Sequence, residues 1–105
     1  MSPETFAALC ARSRELHGHK YVLPVAVWIG ESGNEIVTAG EALIGLGGQA
    51  DRTRILEALM KMAAFDVLTE LPRAGYNLPR YFQRNSHPYW DVVETYADDI
   101  RRARR

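Results

Sequence analysis

Cysteine occurs once, lysine twice, and neither sign of charge is in excess. A lone Cys10 excludes an intrachain disulfide and fits a reducing cytoplasm. Thirteen basic residues balance thirteen acidic ones, so whole-chain charge does not mark a nucleic-acid binder and charge has to be read locally. Eleven of the basic residues are Arg, a bias that a GC-rich coding sequence produces as readily as phosphate recognition does. Long hydrophobic runs are missing too. The longest, Tyr21 to Ile29, is nine residues and is interrupted by Pro24, whereas a membrane-spanning helix needs about 20. Glu4 near the start, with no long apolar stretch behind it, is not a signal-peptide pattern. The expectation is a cytoplasmic protein with no membrane partner. Repeats and low-complexity segments are absent from the sequence as well.

What is present suits one core: 105 residues, 47% hydrophobic and 25% charged. Ser2-Pro3-Glu4-Thr5 is a helix start, with Ser2 as cap and Pro3 in the first position. Phe6, Leu9 and Cys10 continue at helical spacing, and Gly18 stops the helix, predicting a span of 3–17. Tyr21 to Ile29 is apolar, and the element it opens extends to Glu31. Pro24 disfavours a central strand but is tolerated in a first helical turn, so the segment is read as a buried helix, with a strand as the alternative.

Glu35-Ile36-Val37 is a short β fragment. Thr38 and Glu41 have capping-box spacing, opening a helix whose inner face is Ala39, Ala42, Leu43 and Leu46, and which Gly45, Gly47 and Gly48 break. Asp51 (or Gln49) caps the next helix. Ile55, Leu56, Leu59, Met60, Met62 and Ala63 are its inward positions, leaving Arg52, Thr53, Arg54, Glu57 and Lys61 outside. Val67 to Leu71 and Arg80 to Arg84 read as strands joined across a Pro- and Gly-rich connection, a hairpin with a long tip. Asn85 or Ser86 caps a last helix, 88–103, with Tyr89, Trp90, Val92, Val93, Tyr96, Ala97 and Ile100 as its stripe. Arg101, Arg102, Arg104 and Arg105 stand at its end, where positive charge suits the helix dipole.

Strand, capped helix, Gly-rich turn, helix, strand, loop, strand is an order that resembles the winged helix-turn-helix domain of bacterial transcription regulators, broadly those of the MarR and PadR groups. The resemblance covers Tyr21 to Arg84. It rests on Thr38, the Gly-rich turn, Leu56 and Leu59, and the hairpin that follows. Two features depart from it. Ala64-Phe65-Asp66 stands where a glycine is usual, and the presumed reading helix carries Asp51 and Glu57. The fold class expected is mainly α with a small β-hairpin wing: one domain over 1–105, a core over 20–84, and extra terminal helices.

In a helix-turn-helix the N-terminal residues of the second helix meet base edges, which makes Arg52, Thr53 and Arg54 the candidate readers. Gln49 and Lys61 are assigned to phosphate. The resemblance implies that Arg73 and Arg80, flanking the loop tip, serve a wing that touches backbone or minor groove. Residues 49–84 hold six basic side chains (Arg52, Arg54, Lys61, Arg73, Arg80, Arg84) and four acidic ones (Asp51, Glu57, Asp66, Glu70), a balance of +2. The bland alternative for all of these is an ordinary solvated surface with Arg–Glu pairs one turn apart.

Cys10, His17, His19 and His87 lack zinc-ligand spacing and are more simply packing and capping groups. The aromatics Trp28, Tyr81, Phe82, Tyr89, Trp90 and Tyr96 are more simply core than a ligand pocket. Gly45-Leu-Gly-Gly48 lacks the Lys-Ser/Thr of a phosphate loop, and no nucleophile–base pair stands out, so neither enzyme nor cofactor is expected. Apolar stripes on both terminal helices suggest a homodimer. The function expected is a DNA-binding transcriptional regulator acting on double-stranded DNA. The alternative is a protein-interaction module, an adaptor or accessory subunit on the same fold.

Overall fold

A computed structural model describes residues 1–103. The element order is α1 (Pro3–His17), α2 (Val22–Ser32), β1 (Ile36–Val37), α3 (Ala39–Gly45), α4 (Arg52–Ala64), β2 (Leu68–Glu70), β3 (Phe82–Arg84) and α5 (Tyr89–Ala103). The protein is thus mainly helical with a small antiparallel sheet, as the periodicities predict.

The other helices pack around α2, and the sheet joins them through α4. Val22, Leu23, Pro24, Val25, Ala26, Val27 and Ile29 are all buried, and α1, α3, α4 and α5 each lie against it. A helix this apolar on all sides needs cover on all sides. Pro24 costs nothing here because it sits in the first turn, where its missing N–H has no intrahelical partner. The helix read over Tyr21 to Glu31 is present as Val22–Ser32, with Tyr21 at the N-cap position and no side-chain bond from it to the helix.

Ser13 fixes how α1 joins α2. It is fully buried. Its hydroxyl donates to the His19 carbonyl (2.5 Å) and accepts from the Leu23 amide (3.0 Å), one of the orphan N–H groups of the α2 N-terminus. We expect Ser13→Ala to cost about 1–3 kcal/mol, because it strands both backbone groups in a dry site. Urea denaturation checks this, and an unchanged midpoint would show that the hydroxyl is dispensable.

The capping box of α3 is formed. Thr38 Oγ1 accepts from the Glu41 amide and Glu41 Oε1 accepts from the Thr38 amide, each at 3.1 Å. One detail differs from expectation. Gly45 belongs to the helix rather than breaking it, and a Cβ there would overlap the Trp28 indole, so its role is to let α3 approach α2 closely. The break is made by Gly47 and Gly48, both left-handed at φ 70 and 72.

In α4, Asp51 Oδ1 accepts from the Thr53 amide, and Ile55, Ala58, Leu59 and Met62 are buried. Met60 is a correction: it is 44% exposed, and Ala58 takes the inward place. The left-handed residue that closes the turn after α4 is Asp66 (φ 64), a type that tolerates that conformation better than most non-glycine residues.

The sheet has order β1-β3-β2, so the expected hairpin gains β1 as a third strand. Phe82 pairs with Val37 on one side and Glu70 on the other, and its ring is fully buried. Neither Asn85 nor Ser86 caps α5: His87 Nδ1 accepts from the Tyr89 amide at 3.0 Å. Asn85 is engaged instead with the strand end, donating to the Asp66 carbonyl and accepting from the Thr69 hydroxyl. Its own carbonyl takes the Trp90 indole N–H at 2.8 Å.

Trp90, Val93 and Ala97 of α5 and Leu9 and Cys10 of α1 are buried, with α2 against both helices. The stripes expected to await a partner are therefore largely spent on the protein's own core. Leu16 and Val92 are the large aliphatics these helices leave exposed. Arg101 pairs with Glu31 at the end of α2. Arg104 and Arg105 lie outside the described residues. Among the described residues no helix is long and apolar enough to cross a membrane.

Candidate nucleic-acid interface

The first turn of α4 stands clear of the core. Asp51, Arg52, Thr53 and Arg54 are all exposed, and burial begins at Ile55. Two depressions flank this turn. On one side Arg52, Thr53 and Leu56 face Thr38, Ala39 and the connection residues Asn77, Leu78, Pro79 and Arg80 across a groove of about 330 Å³. On the other, Asp51 and Arg54 face Arg14, Gly18, His19, Lys20 and Tyr21 across an open bowl of about 610 Å³.

Of the candidate readers, Arg52 and Thr53 share the first depression and Arg54 lines the second. The Arg52 guanidinium has no ion-pair or hydrogen-bond partner among the described residues. Arg54 is 4.0 Å from Glu57, and that same carboxylate lies 3.4 Å from His19 Nε2. The acidic residue at odds with a phosphate surface is thus faced by one guanidinium and one imidazole nitrogen.

Gln49, Lys61, Arg73 and Arg80 fare differently. Gln49 Nε2 donates to the Met1 and Leu46 carbonyls (3.1 and 2.9 Å), so its amide is committed to holding the chain start against the α3–α4 turn. Lys61 is half-buried nine residues beyond Arg52, about 14 Å along the helix axis, and its charge acts on His17 instead. Arg73 is exposed on the connection, with Nη1 3.5 Å from the Tyr76 carbonyl. Arg80 grips Glu70 with two parallel bonds of 2.7 Å each. That fork holds the Glu70 carboxyl below its ordinary range and raises the Arg80 guanidinium. Arg80 also reaches Met60 Sδ at 3.3 Å, tying the connection to α4. Its charge is internally balanced.

Sequence reasoning missed Glu70 as a partner of Arg80. The signal was the strand register: Glu70 pairs with Phe82, which places residue 80 diagonally across the ladder. Arg14 and Lys20, which line the second depression, precede the stretch that carries the resemblance and do not stand out in the sequence. Tyr76 and Leu78, 91% and 49% exposed, give the connection an apolar tip that its composition hid.

Charge is separated even though it sums to zero. Asp91, Glu94 and Asp98 of α5 join Glu31, Arg84 and Arg101 around a groove of about 350 Å³. Carboxylates gather there, while Arg14, Lys20, Arg52 and Arg54 gather around the start of α4.

His17 and His87 line a fourth, largely apolar cavity of about 340 Å³ with Val22, Met62, Phe65, Val67 and Tyr89. His17 Nε2 and Tyr89 Oη are 2.8 Å apart. Burial, then the Lys61 charge, lowers the His17 pKa, and burial raises that of Tyr89. Cys10 lies buried elsewhere, its thiol pKa raised by burial. Among the described residues no three His, Cys, Asp or Glu side chains come together as a metal site. Trp90 and Phe82 are buried and Trp28 and Tyr96 are packed against the core, while Tyr81 is 43% exposed. No known family model matches the chain, and no curated protein matches it either.

Proposed function

We propose that this chain is a winged helix-turn-helix DNA-binding protein that acts as a small cytoplasmic transcriptional regulator. In this reading α3 and α4 form the helix-turn-helix and β2, β3 and their connection form the wing, with β1 completing the sheet. The start of α4 enters the major groove of duplex DNA, Arg52, Thr53 and Arg54 meet bases and phosphates, and Arg73 on the wing meets the backbone. Arg80 shapes the wing through Glu70. Gln49 and Lys61, placed as they are, contribute little to such a contact. A protein of this kind catalyses no reaction and needs no cofactor.

The observation that carries the reading is the exposed first turn of α4, held between two depressions, with Arg52 unpaired among the described residues. A second copy would double the reading surface and match a palindromic site. Leu16 and Val92 are what the terminal helices leave for it.

One observation favours the alternative, a protein-interaction module. The groove beside α4 is lined by Leu56, Leu78 and Pro79, its Arg80 is neutralised, and Tyr76 stands exposed nearby. Titrating the protein with a mixed-sequence duplex across a salt series separates the two. DNA binding requires an affinity that falls steeply with salt. Affinity that is absent at low salt, or indifferent to salt, would favour the interaction module.

A further inference from the structure

We propose that the turn between α1 and α2 is a second phosphate-binding flank, in which Arg14 and Lys20 grip the strand of the duplex opposite the one met by the wing. This rests on the DNA-binding reading of α4 and adds residues outside the motif to it.

The argument begins with what a helix in a major groove must touch. That groove is about 12 Å wide and is walled by a phosphate ridge on each side. A helix entering it N-terminus first has one ridge on each flank. The wing side of α4 carries Arg52 and the connection. Its other side is the bowl closed by residues 18–21, where Arg14, Lys20 and Arg54 meet one lining carboxylate, Asp51. Asp51 is the cap of α4, accepting from the Thr53 amide. Glu57, the next acid along, is faced by His19 and Arg54. With Glu57 counted, three cations (Arg14, Lys20 and Arg54) face two carboxylates, a local balance of +1, although the protein as a whole has no net charge.

The turn is also held in place before any ligand arrives. Gly18 caps α1 in the left-handed region at φ 66, and its amide donates to the Arg14 carbonyl. Buried Ser13 ties the His19 carbonyl to the Leu23 amide. The Tyr21 amide donates to His19 Nδ1 at 3.1 Å, and the Tyr21 ring stacks on Phe6. Lys20 Nζ lies 4.8 Å from the centre of the Tyr21 ring, so the ammonium has a fixed resting place beside the bowl. Arg14 is exposed and has no ion-pair partner among the described residues. Lys20, held on a rigid turn, loses little side-chain freedom on meeting a phosphodiester, and Arg14 stands beside it in the last turn of α1.

The test uses the full chain and a mixed-sequence duplex, because the phosphate contribution does not depend on sequence. Removing two phosphate contacts in R14A/K20A should make the slope of log affinity against log salt shallower by about 2. The same charge loss in R12A/R102A, whose arginines pair with Glu15 and Asp99 on their own helices, should leave the slope in place. R14K/K20R, which keeps both charges, should bind as the wild type does. Far-UV circular dichroism verifies that each variant folds. A wild type that binds steeply with salt while R14A/K20A keeps the same slope would overturn the flank and leave the DNA-binding reading standing. Equal losses in R14A/K20A and R12A/R102A would overturn the flank as well. A wild type without salt-sensitive affinity would overturn both.

Discussion

Replacing Phe82 with alanine should lower stability by about 3–5 kcal/mol, the largest loss expected from any single substitution in this chain. Phe82 is fully buried and is the largest such side chain. It lies on the central strand, opposite Val37 on β1 and Glu70 on β2, so its ring sits where the sheet meets the helical core. The transfer of the ring to water is only part of the cost. The cavity left behind is walled by elements held from several sides, and it collapses incompletely. A domain of this size has about 5–15 kcal/mol of stability in total, so the variant should be marginal, with a midpoint lower by roughly 15 °C. Tyr76→Ala provides the contrast. That ring is 91% exposed, and its loss should stay within about 0.5 kcal/mol. Thermal denaturation followed by circular dichroism separates the two, and a Phe82→Ala loss below about 1 kcal/mol would contradict this picture of the core.

The second large effect concerns binding. Arg52→Ala with Arg54→Ala should weaken duplex affinity at least tenfold at moderate salt. An arginine fork on a guanine edge is worth about 1–3 kcal/mol, and a lost phosphate contact also flattens the salt slope by about 0.9. The same change should not destabilise the protein. Both side chains are exposed and stand at the positive end of the α4 dipole, where cations are mildly unfavourable. The Arg54–Glu57 pair, at 4.0 Å and with both partners about half exposed or more, contributes little. A binding loss without a stability loss is therefore the expected signature. Unchanged affinity in the double variant would remove α4 from the interface.

The elements that local chemistry dictates were legible in the sequence. The Ser2 cap and Gly18 stop bound α1, and the Thr38–Glu41 box opens α3. The apolar run of α2 is helical despite Pro24 because the proline falls in the first turn. What stayed hidden depends on contacts between distant residues. Gly45 looked like a breaker, and only the approach of Trp28 explains it. The Arg80–Glu70 fork needs the strand register, and Gln49 is drawn away by the Met1 carbonyl, 48 positions earlier. His87 caps α5 in place of Asn85, which the strand end claims. The stripes of α1 and α5 were visible as stripes, but sequence spacing does not say that α2 fills them.

The same limit applies to the proposed interface. Arg52, Thr53 and Arg54 are candidates from the resemblance alone, and the structure places all three exposed at the start of α4. Arg14 and Lys20 came into view only when the α1–α2 turn was seen beside them. A net charge of zero concealed the separation between the carboxylate-lined groove of α5 and the basic groups around α4.

The most direct measurement is the two-dimensional amide spectrum of the labelled protein as a mixed-sequence duplex is added at low salt. Shifts should concentrate at Arg52 to Ile55, at connection residues 72–80 and at the 18–21 turn, and they should reverse when salt is raised. A spectrum unmoved by DNA, or changes confined to the groove between α2 and α5, would contradict the proposal that α4 reads duplex DNA.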